Sequence, residues 1–284
     1  MIAALLLASP AHGGAWTREL GSFYVKGGAD LYQAQRFRAP GAPDESEGGY
    51  LGQQYSLYAE GGVSPLHPVQ LAVSAPLTIG THRTEIIDAF GPLPVRATTL
   101  RGGDLRATIQ TALLDRAPVS AAVEIKIPLY ANGSVGDSVP NYKELFPKPG
   151  DGQIDLTLWL SAGAAVLPDL FVEGGIGYLH RTEVFIGWQT DITFADGARF
   201  GGKAGYRVLE PWLMIVGLDG QLAFTQTGPD GLEDLYTRQF ITLSTSALID
   251  LAEGLSLEPR IAQDLFARNA SQGLGVGLGL SVRR

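Results

Sequence analysis

The sequence predicts an all-β chain: a closed antiparallel transmembrane β-barrel of about 12 strands, with short periplasmic turns and longer extracellular loops. Three observations predict it. The first is the stretch 103 to 130, GDLRATIQTALLDRAPVSAAVEIKIPLY, which reads as two long strands around one tight turn. One arm sets Leu105, Ala107, Ile109, Thr111 and Leu113 against Asp104, Arg106, Thr108, Gln110 and Ala112. The other sets Ala121, Val123, Ile125, Ile127 and Leu129 against Ser120, Ala122, Glu124, Lys126 and Pro128. Successive side chains of a strand point to opposite faces, so period two is a strand signal. Each arm runs roughly ten residues, about twice the usual soluble strand and the length a tilted strand needs to cross a bilayer. The second observation is that short and long connections alternate along the chain, as periplasmic turns and extracellular loops do. The third is that nearly every charged strand residue shares one face with other charged residues, opposite a row of aliphatics. That arrangement suits lipid outside and water inside. A soluble sandwich or lipocalin-like barrel inverts it, with apolar residues inward and a charged outer coat.

Composition agrees with a barrel. Hydrophobic residues make up 45% and charged residues 18% of the 284, with a mean hydropathy of +0.10 and no long apolar run. This excludes a helical membrane protein and fits strands whose apolar residues are diluted by alternation. The 37 glycines suit curved strands and tight turns. Without cysteine, disulfides, thiolate zinc sites and thiol nucleophiles drop out together. A net charge of -8 and a pI near 5.0 argue against a nucleic-acid partner, whose phosphates need a basic surface.

Residues 1 to 15 read as a truncated secretory signal peptide: Ile2 to Ala8 is a short apolar core, and Pro10 with small residues allows cleavage near Ala15. Residues 16 to 284 are then the barrel. The first strand, about 21 to 33, opposes Phe23, Val25, Gly27, Ala29 and Leu31 to Tyr24, Lys26, Gly28, Asp30 and Tyr32. The second, about 51 to 63, opposes Tyr55, Leu57 and Ala59 to Gln54, Ser56, Tyr58 and Glu60, and SPLHP then turns the chain. The third, about 69 to 80, sets Val69, Leu71, Val73, Ala75, Leu77 and Ile79 against Gln70, Ser74 and Thr78. Its Pro76 lacks a backbone donor, which a ladder tolerates only at an irregular point. Residues 81 to 102 are expected as a long connection into the hairpin that supplies the fourth and fifth strands.

After a second long connection, the sixth strand, about 153 to 164, alternates Ile154, Leu156, Leu158, Leu160 and Ala162 with Gln153, Asp155, Thr157, Trp159 and Ser161. The seventh, about 170 to 182, opposes Val172, Ile176 and Tyr178 to Glu173, Gly175 and Arg181. The eighth, about 197 to 208, opposes Phe200, Ala204, Tyr206 and Val208 to Arg199, Lys203 and Arg207. The ninth, about 212 to 225, opposes Met214, Val216, Leu218, Leu222 and Phe224 to Asp219, Gln221 and Thr225. The tenth, about 239 to 250, carries Ile241, Leu243, Ala247 and Ile249 on one side, and the eleventh, about 255 to 266, opposes Leu257, Ile261 and Leu265 to Glu258, Arg260 and Asp264. The twelfth, about 273 to 283, alternates Leu274, Val276, Leu278, Leu280 and Val282 with Gly273, Gly275, Gly277, Gly279 and Ser281. Tyr55, Tyr178, Phe200, Tyr206, Trp212 and Phe224 fall near strand ends on the apolar face, where aromatic girdles belong.

Through YVKGGADLYQAQRF at 24 to 37, and GDLRATIQTALL followed by APVSAAVEIKIPLY, the chain resembles a family of bacterial outer-membrane barrels assigned to transport in the phenol meta-cleavage pathway (MetA-pathway). The resemblance implies a porin or uptake channel for small, often aromatic or hydrophobic molecules.

Chemistry-bearing motifs are sparse. His12 leaves with the signal, His67 lies in a turn between prolines, and His82 begins a loop. His180 falls at the rim of the seventh strand on the apolar face, where a lipid-modifying enzyme would need a serine beside it; Ile154, Leu156, Ala198 and Phe200 stand there instead. The expectation is no enzyme. Acidic loops at 150 to 155 and 229 to 234 lack the full ligand spacing of a calcium site, so no metal or other cofactor is expected. The candidate site is therefore the polar face itself. Lys26, Asp30, Glu60, Asp104, Arg106, Glu124, Lys126, Asp155, Glu173, Arg199, Lys203, Arg207, Asp219, Glu258, Arg260 and Asp264 are expected to line the lumen. Both signs occur, so the lining is either a water-filled field acting on solutes or a set of paired charges filling the barrel. The function expected is passive transport of small solutes across the bacterial outer membrane, with outer-membrane lipids and lipopolysaccharide as surroundings. The alternatives are a non-conducting structural or adhesion barrel and a lipid-modifying enzyme.

Overall fold

The computed structural model describes residues 15–37, 49–65, 67–88, 91–114, 117–130, 152–185, 195–224, 237–268 and 270–284. These residues form one antiparallel sheet of β1 (Phe23–Phe37), β2 (Gly49–Gly62), β3 (Val69–Asp88), β4 (Gly91–Gly102), β5 (Asp104–Ala112), β6 (Val119–Pro128), β7 (Gln153–Leu167), β8 (Leu170–Phe185), β9 (Gly197–Leu209), β10 (Trp212–Ala223), β11 (Gln239–Ala252), β12 (Leu255–Arg268) and β13 (Ser271–Arg283). Strands adjacent in sequence pair around the ring, except that β5 pairs with β3 and not with β4, and β1 pairing with both β2 and β13 closes it. The thirteen segments make twelve staves, because β4 and β5 share one: residues 69–74 of β3 pair with β5, and residues 77–88 pair with β4.

That shared stave corrects one expectation. Residues 81 to 102 are not a loop: β3 runs on to Asp88, and β4 returns beside it with Asp88 opposite Gly91 and Leu77 opposite Gly102. Pro92 and Pro94 are tolerated there because β3 is the one partner of β4 among the described strands, and proline is confined to edges. The strand switch falls at Pro76. Its carbonyl accepts from the Gly103 amide at 2.8 Å, and in an antiparallel ladder its missing donor faces that same break.

The short connections between β2 and β3, β5 and β6, β7 and β8, β9 and β10, and β11 and β12 lie on one rim, the last three being turns at 168–169, 210–211 and 253–254. Gly254 supplies the positive φ, +73°, that the last of these requires. Facing is inside-out relative to a soluble barrel. Ile176 is 67% exposed, and Leu57, Leu158, Val216, Leu265 and Leu278 are also exposed, whereas Glu124, Lys126, Asp155 and Arg181 are buried. The apolar rows form the outer belt and the ionised rows the interior.

Candidate functional site

The interior is organised by side chains that reach across glycines. On β13 the inward residues from Gly273 to Gly279 are glycines, which leave a bare trough between β1 and β12. Lys26 of β1 crosses at Gly279 and pairs with Glu258 of β12 at 2.8 Å. Asp30 lies over Gly277, on the row that continues to Arg260. The Tyr32 hydroxyl lies by Gly273 and donates to Asp264 Oδ2 at 2.8 Å, and Thr242 donates to Asp264 Oδ1 at 2.6 Å. The glycine row is therefore filled by neighbouring side chains.

The wall from β5 to β9 carries a second network. Glu124 Oε1 accepts from Arg106 Nη1 and from Arg199 Nη1, both at 2.6 Å. Arg199 reaches it from three staves away, lying over the Trp159 ring at 5.1 Å from its centroid, above Gly177, which a Cβ would crowd against that ring. Lys126 pairs with Asp155 at 2.6 Å and Asp104 at 3.9 Å, Arg181 Nε meets Asp155 at 3.4 Å, and the Tyr130 hydroxyl donates to Asp104 at 2.9 Å. With Tyr32, Gln54, Thr78, Thr157, Thr242 and Asp264, most of these side chains form a buried belt across the barrel. Charges in so dry a setting persist only when paired and hydrogen-bonded.

Beneath the belt, in the short-turn half, the lumen opens into a cavity of about 870 Å³. Lys26, Glu60, Glu173, Lys203, Asp219, Glu258 and Arg260 line it, with Ser161, Ser244 and Ser246, the rings of Tyr24, Trp159 and Phe171, and glycines of β8 to β10. Lys203 pairs with Glu173 at 2.7 Å. Residues 15–19 enter this cavity: Trp16 meets Phe171 edge to face at 5.9 Å, and Arg18 pairs with Glu60 at 2.5 Å while lying over Tyr24 at 5.4 Å. Its backbone N–H donates to Gln70 Oε1 at 2.9 Å.

Of the sixteen charged residues named from the sequence, seven line the cavity and seven, Asp104, Arg106, Glu124, Lys126, Asp155, Arg199 and Asp264, belong to the belt. Asp30 lies on the glycine trough. Arg207 stands apart at the short-turn rim, 3.9 Å from exposed Glu210. Arg181, on the polar face of its strand but outside those sixteen, joins the belt through Asp155, and Trp16 and Arg18 precede the first strand, where no alternation marks them. The expected leader, apart from Ala15, and the acidic loop at 229 to 234 lie outside the described residues, as do 150 and 151.

A separate polar cluster sits on the outer face. Tyr178 donates to Asp196 Oδ2 at 2.5 Å, His180 Nδ1 approaches the same oxygen at 3.1 Å, and the Arg181 amide donates to Asp196 Oδ1 at 2.8 Å. Partial burial pushes the Asp196 carboxyl up, but these three hydrogen bonds outweigh it and hold it below the ordinary carboxylate range.

No family model matches the chain, and no curated protein matches it in sequence. Its fold is similar to that of the COG4313 outer membrane channel from Pseudomonas putida F1, 14% identical over 94% of this chain and 96% of that one, with a TM-score of 0.70. It is also similar to the NanC porin, 10% identical over 92% of this chain and 98% of that one, with a TM-score of 0.50. Identities this low speak to fold alone. Together with the apolar outer belt, they make the chain a closed β-barrel of the bacterial outer membrane.

Proposed function

We propose that the barrel passes small solutes passively across the outer membrane, with the buried belt as constriction and the cavity as a vestibule. The observation that carries this reading is the 870 Å³ cavity inside the wall, lined by both rings and ion pairs. Pockets of this size and mixed lining are the usual form of small-molecule sites. In its finer form, the proposal is uptake of ring-bearing molecules of the kind implied by the resemblance to the meta-cleavage transporters; Trp159, Phe171 and Tyr24 are the surfaces on which a ring would lie. The sixteen charged residues then act as the lining that sets selectivity, through pairs whose loss unmasks a charge at the constriction.

Single-channel recording in planar bilayers tests this. Discrete ion currents are expected, and neutralising Arg199 or Lys203 is expected to shift the reversal potential toward cations. Neutralising Arg207, which stands half-buried at the rim, is expected to change it less. Absence of current from folded protein would reject the channel. The density of the belt favours one competing reading, a non-conducting barrel whose loops do the binding, and the same recordings decide between them. A lipid-modifying enzyme has less support: the hydrogen bonds of Asp196 go to Tyr178, His180 and the Arg181 amide, a set without a serine or threonine nucleophile.

A further inference from the structure

The cluster on the lipid-facing side of β8 has no role in the lumen and stands independently of the channel reading. The outward row of β8 runs Leu170, Val172, Gly174, Ile176, Tyr178 and then His180, so an imidazole ends a row of apolar side chains. Its height follows from the chain. His180 lies eleven residues beyond Asp169 in the short turn, and at about 3.3 Å per residue and roughly 40° of tilt this is about 28 Å along the membrane normal. The apolar band of such barrels is about 25 Å tall, so His180 stands where hydrocarbon gives way to headgroups on the outer side.

The ring is held in one orientation. Asp196 accepts hydrogen bonds, so the proton of a neutral His180 resides on Nδ1 and its lone pair on Nε2. The imidazole side chain is 53% exposed, and it has no second partner among the described residues. Beside it, Tyr178 and Phe224 stack at 6.2 Å with 25° between their planes, and both are exposed. An outward acceptor next to a flat aromatic pair suits a sugar, whose hydroxyls donate and whose C–H faces pack on rings. A phosphate suits it less, because the Asp196 carboxylate would stand beside a second anion.

We propose that His180 binds the sugar headgroup of an outer-leaflet glycolipid, Nε2 accepting a hydrogen bond from a sugar hydroxyl while Tyr178 and Phe224 carry the ring. Native mass spectrometry of the full chain in detergent tests this with three probes: lipid A, lipid A stripped of its phosphates, and phosphatidylethanolamine. Both forms of lipid A are expected to be retained, and phosphatidylethanolamine several-fold less. His180→Asn keeps a donor at the Nδ1 position for Asp196 but removes Nε2, whereas His180→Gln places an amide at the Nε2 position. The glycolipid adduct is therefore expected to fall about fivefold in the Asn variant, the ratio a lost neutral hydrogen bond produces, and to be largely kept in the Gln variant. Heat-modifiable electrophoretic mobility reports that each barrel is folded. Equal retention by the two variants, retention that requires the phosphates, or equal retention of phosphatidylethanolamine overturns the assignment.

Discussion

Glu124 holds two guanidinium groups on one carboxylate oxygen while only 3% exposed, so its charge is what permits Arg106 and Arg199 to face each other. Removing one partner from a buried network costs more than the pair contributes, because the remaining charges stay desolvated. Glu124→Gln is expected to lose about 3 to 5 kcal/mol in urea unfolding from vesicles and to shift channel currents toward anions, with Arg199→Gln in the same chain recovering part of both. At Asp196 the sign runs with acidity. Its folded value is depressed, so its stabilisation is present above the unfolded value of about 3.9 and is lost as pH falls through the folded one. The stability gap between the native chain and Asp196→Asn is expected at pH 7 and should close below about pH 4; urea midpoints at pH 7, 4 and 3 check it. These two residues also differ in how they could be read from sequence. Glu124 sits inside an alternating run and declares its face, whereas Asp196 precedes its strand and acts through backbone and neighbours that no periodicity links to it.

Among the elements, β13 alternates strictly in the sequence, yet that alternation does not say what occupies the trough its glycines leave. The answer needed register, since Lys26, Asp30 and Tyr32 of β1 reach over it toward β12. An added methyl at Gly277 would collide with the Asp30 carboxylate, and one at Gly279 would stand 2.6 Å from Lys26 Cε. Gly277→Ala is expected to cost about 1 to 3 kcal/mol, as overpacking does. Gly27→Ala points to the outer face, where nothing lies within 4 Å of the added carbon, and is expected to be neutral or up to about 1 kcal/mol stabilising. Thermal or urea unfolding of the pair in one lipid separates filling of the trough from a general intolerance of side chains. The β3–β4 hairpin was hidden for the opposite reason. Pro92 and Pro94 argue against a central strand, and they are compatible with pairing because, among the described residues, β4 pairs on one side alone.

At the scale of the whole molecule, one inversion determines everything else: Val216 and Leu209 face outward and are about half exposed, while Arg181 and Asp155 are almost fully buried. If the outer surface met water, placing arginine at either outward position would change stability by less than about 0.5 kcal/mol, as surface substitutions usually do. A membrane separates the two by depth. Val216 lies five residues above the turn at Pro211, roughly 13 Å from the short-turn rim and so near the middle of the apolar band, whereas Leu209 lies at that rim. Val216→Arg is therefore expected to cost about 2 to 4 kcal/mol and Leu209→Arg about 0 to 1 kcal/mol, measured by guanidinium titration of barrels folded in vesicles. Equal and small costs at both depths would mean that the aliphatic rows do not meet hydrocarbon, and the assignment of the ionised rows to an interior passage would fail with it.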